Sequence, residues 1–130
     1  MKSLTDARYI SLATWRRSGK EVQTPVWFAA ASEKTFFSFS AAGAGKVKRL
    51  RNSSRARIAS CDARGGNLGE WLEAKACLVN DDQVEITLAY SLLMEKYGIQ
   101  MVLTNLMSWL SGRINNRVVI RIELEVDGDP

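Results

Sequence analysis

Thr35-Phe36-Phe37-Ser38-Phe39-Ser40, followed after two alanines by Gly43-Ala44-Gly45-Lys46-Val47-Lys48-Arg49-Leu50-Arg51, reads as a strand that passes through a glycine turn into a short basic helix. The aromatic run suits a pleated, buried surface. The two glycines interrupt it, and Val47 and Leu50, three apart, give the next segment one core-facing side. A helix start presents unpaired backbone N–H groups and a positive dipole end, which together favour a bound anion. Lys46 and Lys48 add full charges there. Two readings follow: a phosphate-binding turn, or a helix N-terminus with a solvated basic face. Ser38 and Ser40 favour the first, because they can present hydroxyls toward the same anion. A nucleotide-hydrolase P-loop is excluded. A single residue separates Gly43 from Gly45, and Val47 stands where the metal-binding hydroxyl is required.

Before this stretch, Leu4 to Ala7 suits one helical turn with Ser3 as its cap. Arg8 to Arg17 reads as a strand, Ser18-Gly19-Lys20 as a turn, and Glu21 to Ala31 as the second strand of a hairpin. Pro25 donates nothing to a ladder, so it belongs at an edge, a bulge or an opening in the sheet. After the basic helix come two further strands, Arg57 to Asp62 and Trp71 to Val79, separated by the Gly65-Gly66-Asn67 loop. Asn80-Asp81-Asp82 is a turn and a helix cap. Gln83 to Leu110 is helical in period, and Gly98 divides it in two. Arg117 to Val126 closes the chain as an alternating strand, with Val118, Ile120, Ile122, Leu124 and Val126 on one side. The pattern predicts a single mainly β (α+β) domain over residues 1–130. Its consecutive hairpins favour a six-stranded antiparallel barrel with short flanking helices over a parallel sheet.

With 46% hydrophobic and 25% charged residues the composition is that of a folded domain. The net charge of +4 is concentrated in Lys46, Lys48, Arg49, Arg51, Arg55, Arg57 and Arg64, a region suited to phosphate groups. The absence of histidine excludes imidazole acid–base chemistry, His triads and the commonest zinc sites; no metal site is expected. Cys61 and Cys77 are too far apart for a CxxC motif and read as buried reduced thiols. The start carries no apolar signal core and no apolar run reaches a membrane span, so the expected location is cytoplasmic with no membrane partner. Nucleic acid is not expected either, because no aromatic residue is interleaved with the charges between Lys46 and Arg64.

Three other segments bear on function. Thr24-Pro25-Val26-Trp27-Phe28 is either a core strand with a bulge or an exposed backbone edge flanked by aromatic surface, where a flavin-like ring can lie. Cys61-Asp62-Ala63-Arg64-Gly65 ends a strand, with Arg64 placed to pair with Asp62 or with a ligand anion. The helix from Ile99 to Leu110, rich in Met101, Val102, Leu103, Leu106 and Met107, packs on the barrel or on a dimer mate, since its polar side lacks the basic charge of a membrane-surface helix.

Taken in order, TPVWF, the aromatic strand, GKVKRLR, CDARG, EKYG and RVVIRIEL resemble the pyridoxamine 5'-phosphate oxidase-like, FMN-binding split-barrel family. More narrowly, they resemble its small flavin or deazaflavin oxidoreductases, the probable F420-dependent enzymes. The resemblance runs from about Tyr9 to Leu124. It implies a six-stranded split barrel working as a homodimer, with the cofactor, coenzyme F420 or FMN, in a groove at the dimer interface. The cofactor phosphate would meet Lys46, Val47 and Lys48, with Ser38 and Ser40 on the preceding strand. The ring would lie along Thr24, Pro25, Val26 and Trp27, and Cys61 and Asp62 would flank the site. Two departures stand out. Glu73-Ala74-Lys75 occupies the place of a usual Glu-Gly-Arg/Lys segment, and the apolar helix carries no transferable substrate residue. The His and Arg of a pyridoxamine-phosphate substrate site are missing as well. The expected activity is hydride transfer between the bound ring and a small organic acceptor, with no catalytic side chain assigned. The alternative is a protein that holds flavin, deazaflavin or haem without turnover.

Overall fold

A computed structural model describes residues 4–110 and 117–125. Ser3 and Val126, read above as a cap and a strand end, lie outside the described residues. A single 3-10 turn, Leu4–Asp6, precedes β1 (Tyr9–Trp15), β2 (Glu21–Val26), β3 (Ala29–Ala30) and β4 (Thr35–Ala41). Then come α1 (Gly45–Asn52), β5 (Arg55–Cys61), β6 (Leu72–Val79), α2 (Gln83–Tyr97), α3 (Ile99–Leu110) and β7 (Arg117–Leu124).

The described residues hold seven strands rather than six. The strand expected over Glu21 to Ala31 is broken at Trp27 and Phe28 into β2 and β3. All pairings are antiparallel, and the order across the sheet is β2-β1-β5-β6-β7-β4-β3. The outermost strands in that order, β2 and β3, are consecutive in the chain with two residues between them. Three peptide steps reach about 10 Å, so the sheet must curl until its ends meet. The result is a barrel with a seam at Trp27–Phe28. Pro25 sits on β2 opposite Ser11 of β1, and the seam on its other side asks for no N–H from it.

Both faces of the wall are packed, which explains the double aromatics. Phe36, Ile120 and Ile122 point inward to join Ile10, Leu12, Phe28 and Ile58 in the barrel interior. Their neighbours Phe37 and Val119 point outward and pack under Ala89 of α2. Each fully buried side chain of this size stabilises the fold by about 1.5–3 kcal/mol. Asp82 caps α2 by accepting the Glu85 N–H at 3.0 Å. Gly98 ends that helix at φ 55°, where a Cβ would be strained, and α3 begins at the next residue. Cys61 and Cys77 are free thiols, half-buried rather than buried. No helix among the described residues is long and apolar enough to cross a membrane.

Candidate functional site

The seam leaves backbone groups that no ladder can satisfy, and side chains take them instead. The Tyr97 hydroxyl accepts the Phe28 N–H at 2.9 Å and lies 3.0 Å from the Phe28 carbonyl and 2.8 Å from the Arg8 carbonyl. Ser38 Oγ donates to the Trp27 carbonyl at 2.6 Å. The Tyr97 ring also stacks on Trp27, with centroids 4.4 Å apart and planes 10° from parallel. Burial pushes the Tyr97 phenol up to about 12, so it stays protonated as a bridge. Trp27 is thereby fixed as a wall, with Phe39 at its edge 6.4 Å away.

A groove of about 370 Å³ opens beside this wall, lined by Pro25, Val26, Trp27, Phe39, Ser40, Ala41, Ala44, Lys46 and Thr104. Its size falls in the range of small-molecule sites. One end is apolar and aromatic. The other runs into the first turn of α1, whose cap residue, Ala44, offers no side-chain bond. The Ala44 carbonyl takes the N–H groups of Val47 and Lys48, so those of Gly45 and Lys46 have no acceptor within the helix.

Lys46 places a cation at this end, with Arg49 close enough to act on it. Burial, and then the charge of Arg49, hold the Lys46 ammonium below the usual lysine range. Arg49 folds back along its own helix: Nε donates to Thr14 Oγ1 at 2.6 Å, and a Cβ at Gly45 would stand 2.8 Å from Nη1. Gly45 therefore makes room for that guanidinium. Burial and the charge of Arg16 lower the Arg49 pKa in turn. The ion pairs among the described residues join Arg57 to Glu21, and Arg121 to Glu85 and Glu123; none engages Lys46, Arg49 or Arg16. Positive charge at the groove end is thus left for an outside anion.

The residues proposed from sequence are only partly brought together. Pro25, Val26, Trp27, Ser40 and Lys46 line the groove. Thr24 pairs with Leu12 on β1 and is outside the lining. Ser38 is fully buried, and its hydroxyl is engaged by Trp27 rather than turned to the groove. Val47 is fully buried, and Lys48 is exposed outside the lining. Cys61 and Asp62 line a separate cleft with Tyr9, Ser60 and Asn67. Asp62 organises its own loop by accepting from the Gly66 and Arg64 N–H groups and the Asn67 amide. The Gly66 contact leads in holding its carboxyl below the usual range. Arg64 reaches Asp62 through its backbone, not through its guanidinium. Tyr97, Phe39 and Thr104 were not singled out from sequence. Tyr97, the last residue before the Gly98 break, is spaced like any core position, and its hydroxyl partners, Phe28 and Arg8, lie 69 and 89 residues away.

The family described as pyridoxamine 5'-phosphate oxidase matches residues 1–126. No curated protein matches the chain. Among solved structures, a haem storage protein of Vibrio cholerae superposes with a TM-score of 0.69 at 15% identity, over 93% of this chain and 84% of that one. An FAD-binding protein of Mesorhizobium loti gives 0.63 at 18% identity, over 95% and 83%. An F420 reductase gives 0.60 at 16% identity, over 95% and 90%. At such identities these likenesses speak for the fold.

Proposed function

The chain belongs to the pyridoxamine 5'-phosphate oxidase family, and on that footing we propose that it is an oxidoreductase that binds FMN or the deazaflavin F420 in the groove. The bound ring would supply hydride exchange with a small organic acceptor, and the reading takes the protein as a homodimer. The carrying observation is the groove's polarity: aromatic at one end, unneutralised cation and uncapped helix start at the other. A phosphorylated tricyclic ring has the same polarity, so the residues present fit it. No acidic side chain lines the groove to repel a phosphate.

Hydride exchange is the chemistry the cofactor supplies when bound. The remaining work falls to this chain. Trp27 and Phe39 wall the ring space and exclude water from one face. Ser40, Lys46 and the first N–H groups of α1 hold the phosphate end. The backbone at Pro25 and Val26 would meet the polar ring edge. Imidazole takes no part in any proton transfer, because the chain has no histidine.

Absorbance titration with FMN and F420 separately tests the reading. One of them is expected to bind with a shifted ring band. Lys46→Ala is expected to weaken it by about 1.5–3 kcal/mol, the loss of a charge-assisted contact. Failure of both to bind, or an affinity that Lys46→Ala leaves unchanged, refutes the assignment. The second reading, storage of a ring or of haem without turnover, draws on the likeness to the Vibrio cholerae protein. Against its haem form, the chain has no imidazole to ligate iron. Turnover of bound reduced cofactor against a panel of quinones separates enzyme from carrier.

A further inference from the structure

Helix α3 exposes more apolar surface than suits a helix on a lone subunit. Its inward side holds the buried Met101 and the half-buried Thr104 and Asn105. Gln100 accepts from Arg8, and Asn105 accepts from Arg117. Thr104 is half-buried and borders the groove. Its outer face carries Ile99, Val102, Leu103, Leu106 and Met107, spaced i, i+3, i+4, i+7 and i+8 as one stripe. These five are 73%, 50%, 55%, 49% and 67% exposed. We infer that a second copy of this chain covers that stripe, α3 against α3 across a twofold axis. The inference takes up the homodimer of the preceding reading and assigns it a face.

Three observations favour this occupant. The exposed stripe amounts to roughly 600 Å² per chain, the upper end of what a monomer tolerates as one apolar patch. Two copies would bury about 1,200 Å² from it alone, above the ~1,000 Å² that a specific interface needs. Second, residues 97 to 112 contain no Asp, Glu, Lys or Arg. A charged partner surface finds nothing to pair with, whereas an identical uncharged stripe is complementary to itself, as an isologous contact requires. A lipid surface fits less well, because interfacial helices flank their apolar face with Lys and Arg. Third, among the chain's residues outside the described ones, only Met1, Ile114 and Val126 are large and apolar, too few to cover five. Because Thr104 sits on this helix and borders the groove, the partner would also come to stand beside the groove mouth.

The test is sedimentation equilibrium of the protein without added cofactor, wild type against Leu103→Glu/Leu106→Glu. Both positions are exposed, so the fold is expected to survive, with circular dichroism as the check. The wild type is expected to be a dimer at micromolar concentration. The double glutamate should be monomeric, with a dimer dissociation constant raised by about a hundredfold or more, since two buried unpaired charges enter the interface from each chain. Peroxide oxidation of Met107 in the wild type supplies a readout free of mutation: the rate should fall as protein concentration carries the chain into dimer. A wild-type dimer indifferent to the glutamates, with Met107 oxidised equally fast at all concentrations, overturns the α3 face and leaves the homodimer standing. A wild type that stays monomeric, or is monomeric and sediments with anionic vesicles, overturns both. Neither result touches cofactor binding by the groove, which is read separately by titration.

Discussion

Lys96 sits on α2 with its ammonium over the Phe28 ring, 3.5 Å from the centroid, and Nζ has no hydrogen-bond partner among the described residues. Burial lowers its pKa from 10.5 to about 8, and Arg8 adds to the effect while Asp6 opposes it. Replacing Lys96 by Met keeps the stem and removes the charge. The magnitude follows from linkage. A shift from 10.5 to about 8 corresponds to about 3 kcal/mol of destabilisation when both states carry the proton. The contact with Phe28 returns about 0.5–2 kcal/mol to the charged form. The net expectation is that Lys96→Met is more stable than wild type by about 1–2 kcal/mol at pH 7, or about 3–8 °C in Tm. The sign with pH is definite. Below pH 8 both folded and unfolded chains hold the proton, so the penalty is full. Between about 8 and 10.5 the unfolded chain binds more protons, so wild-type stability rises with pH through that window. The advantage of Lys96→Met should shrink over the same interval. Tyr97 acts oppositely: with its folded pKa up at about 12 against an ordinary 10, its contribution is lost as pH rises from 10 to 12. Urea denaturation of both proteins from pH 6 to 10, followed by tryptophan fluorescence, measures the difference. An advantage that does not change with pH, or a variant weaker than wild type at pH 7, refutes the desolvation argument.

The other substitutions divide between the seam and the cation cluster. Tyr97→Phe strips the Phe28 N–H and two carbonyls of their shared partner, so a loss of about 1–3 kcal/mol is expected in denaturation, with faster hydrogen exchange at the Phe28 amide. Gly45→Ala pushes the Arg49 guanidinium away from the first turn of α1. Stability should change by less than about 0.5 kcal/mol, since only the tip of a flexible side chain moves. Phosphate-bearing ligands should bind about three- to tenfold more weakly by titration. Glu85→Gln removes the carboxylate that takes two contacts from Arg121 Nη1, at 2.9 and 2.8 Å. Because that pair is half-buried, a loss of about 1 kcal/mol is expected, smaller at high salt.

The parts of the fold that were legible in sequence are those fixed by neighbours along the chain. The Gly98 break, the Asp82 cap and the passage from β4 through the glycines into α1 rest on local backbone needs, and each lies within two residues of its expected place. The seam at Trp27–Phe28 was not legible. Trp27, Phe28, Ala29 and Ala30 continue an apolar strand without punctuation. What breaks the strand there is closure: β2 and β3 must leave opposite ends of one sheet, a demand set by partners 69 to 89 residues distant. The candidate site divides by the same rule. Ser40 and Lys46 reach the groove because the strand–turn–helix unit carries them there. Ser38, one pleat step from Ser40, lies on the same wall but below the opening, where the Trp27 carbonyl stands within reach of its hydroxyl. Cys61 and Asp62 were grouped with the site by order along the chain, whereas the end of β5 carries them into a separate cleft with Tyr9. Helix α3 shows the limit most plainly. Apolar periodicity states that one side of a helix avoids water, and nothing in the period says which body covers it. Met101, buried against Leu93 and Tyr97, and Asn105, held by Arg117, set the helix's rotation and leave the apolar stripe outward. A residue pattern that serves as core in many helices thus stands exposed on this one.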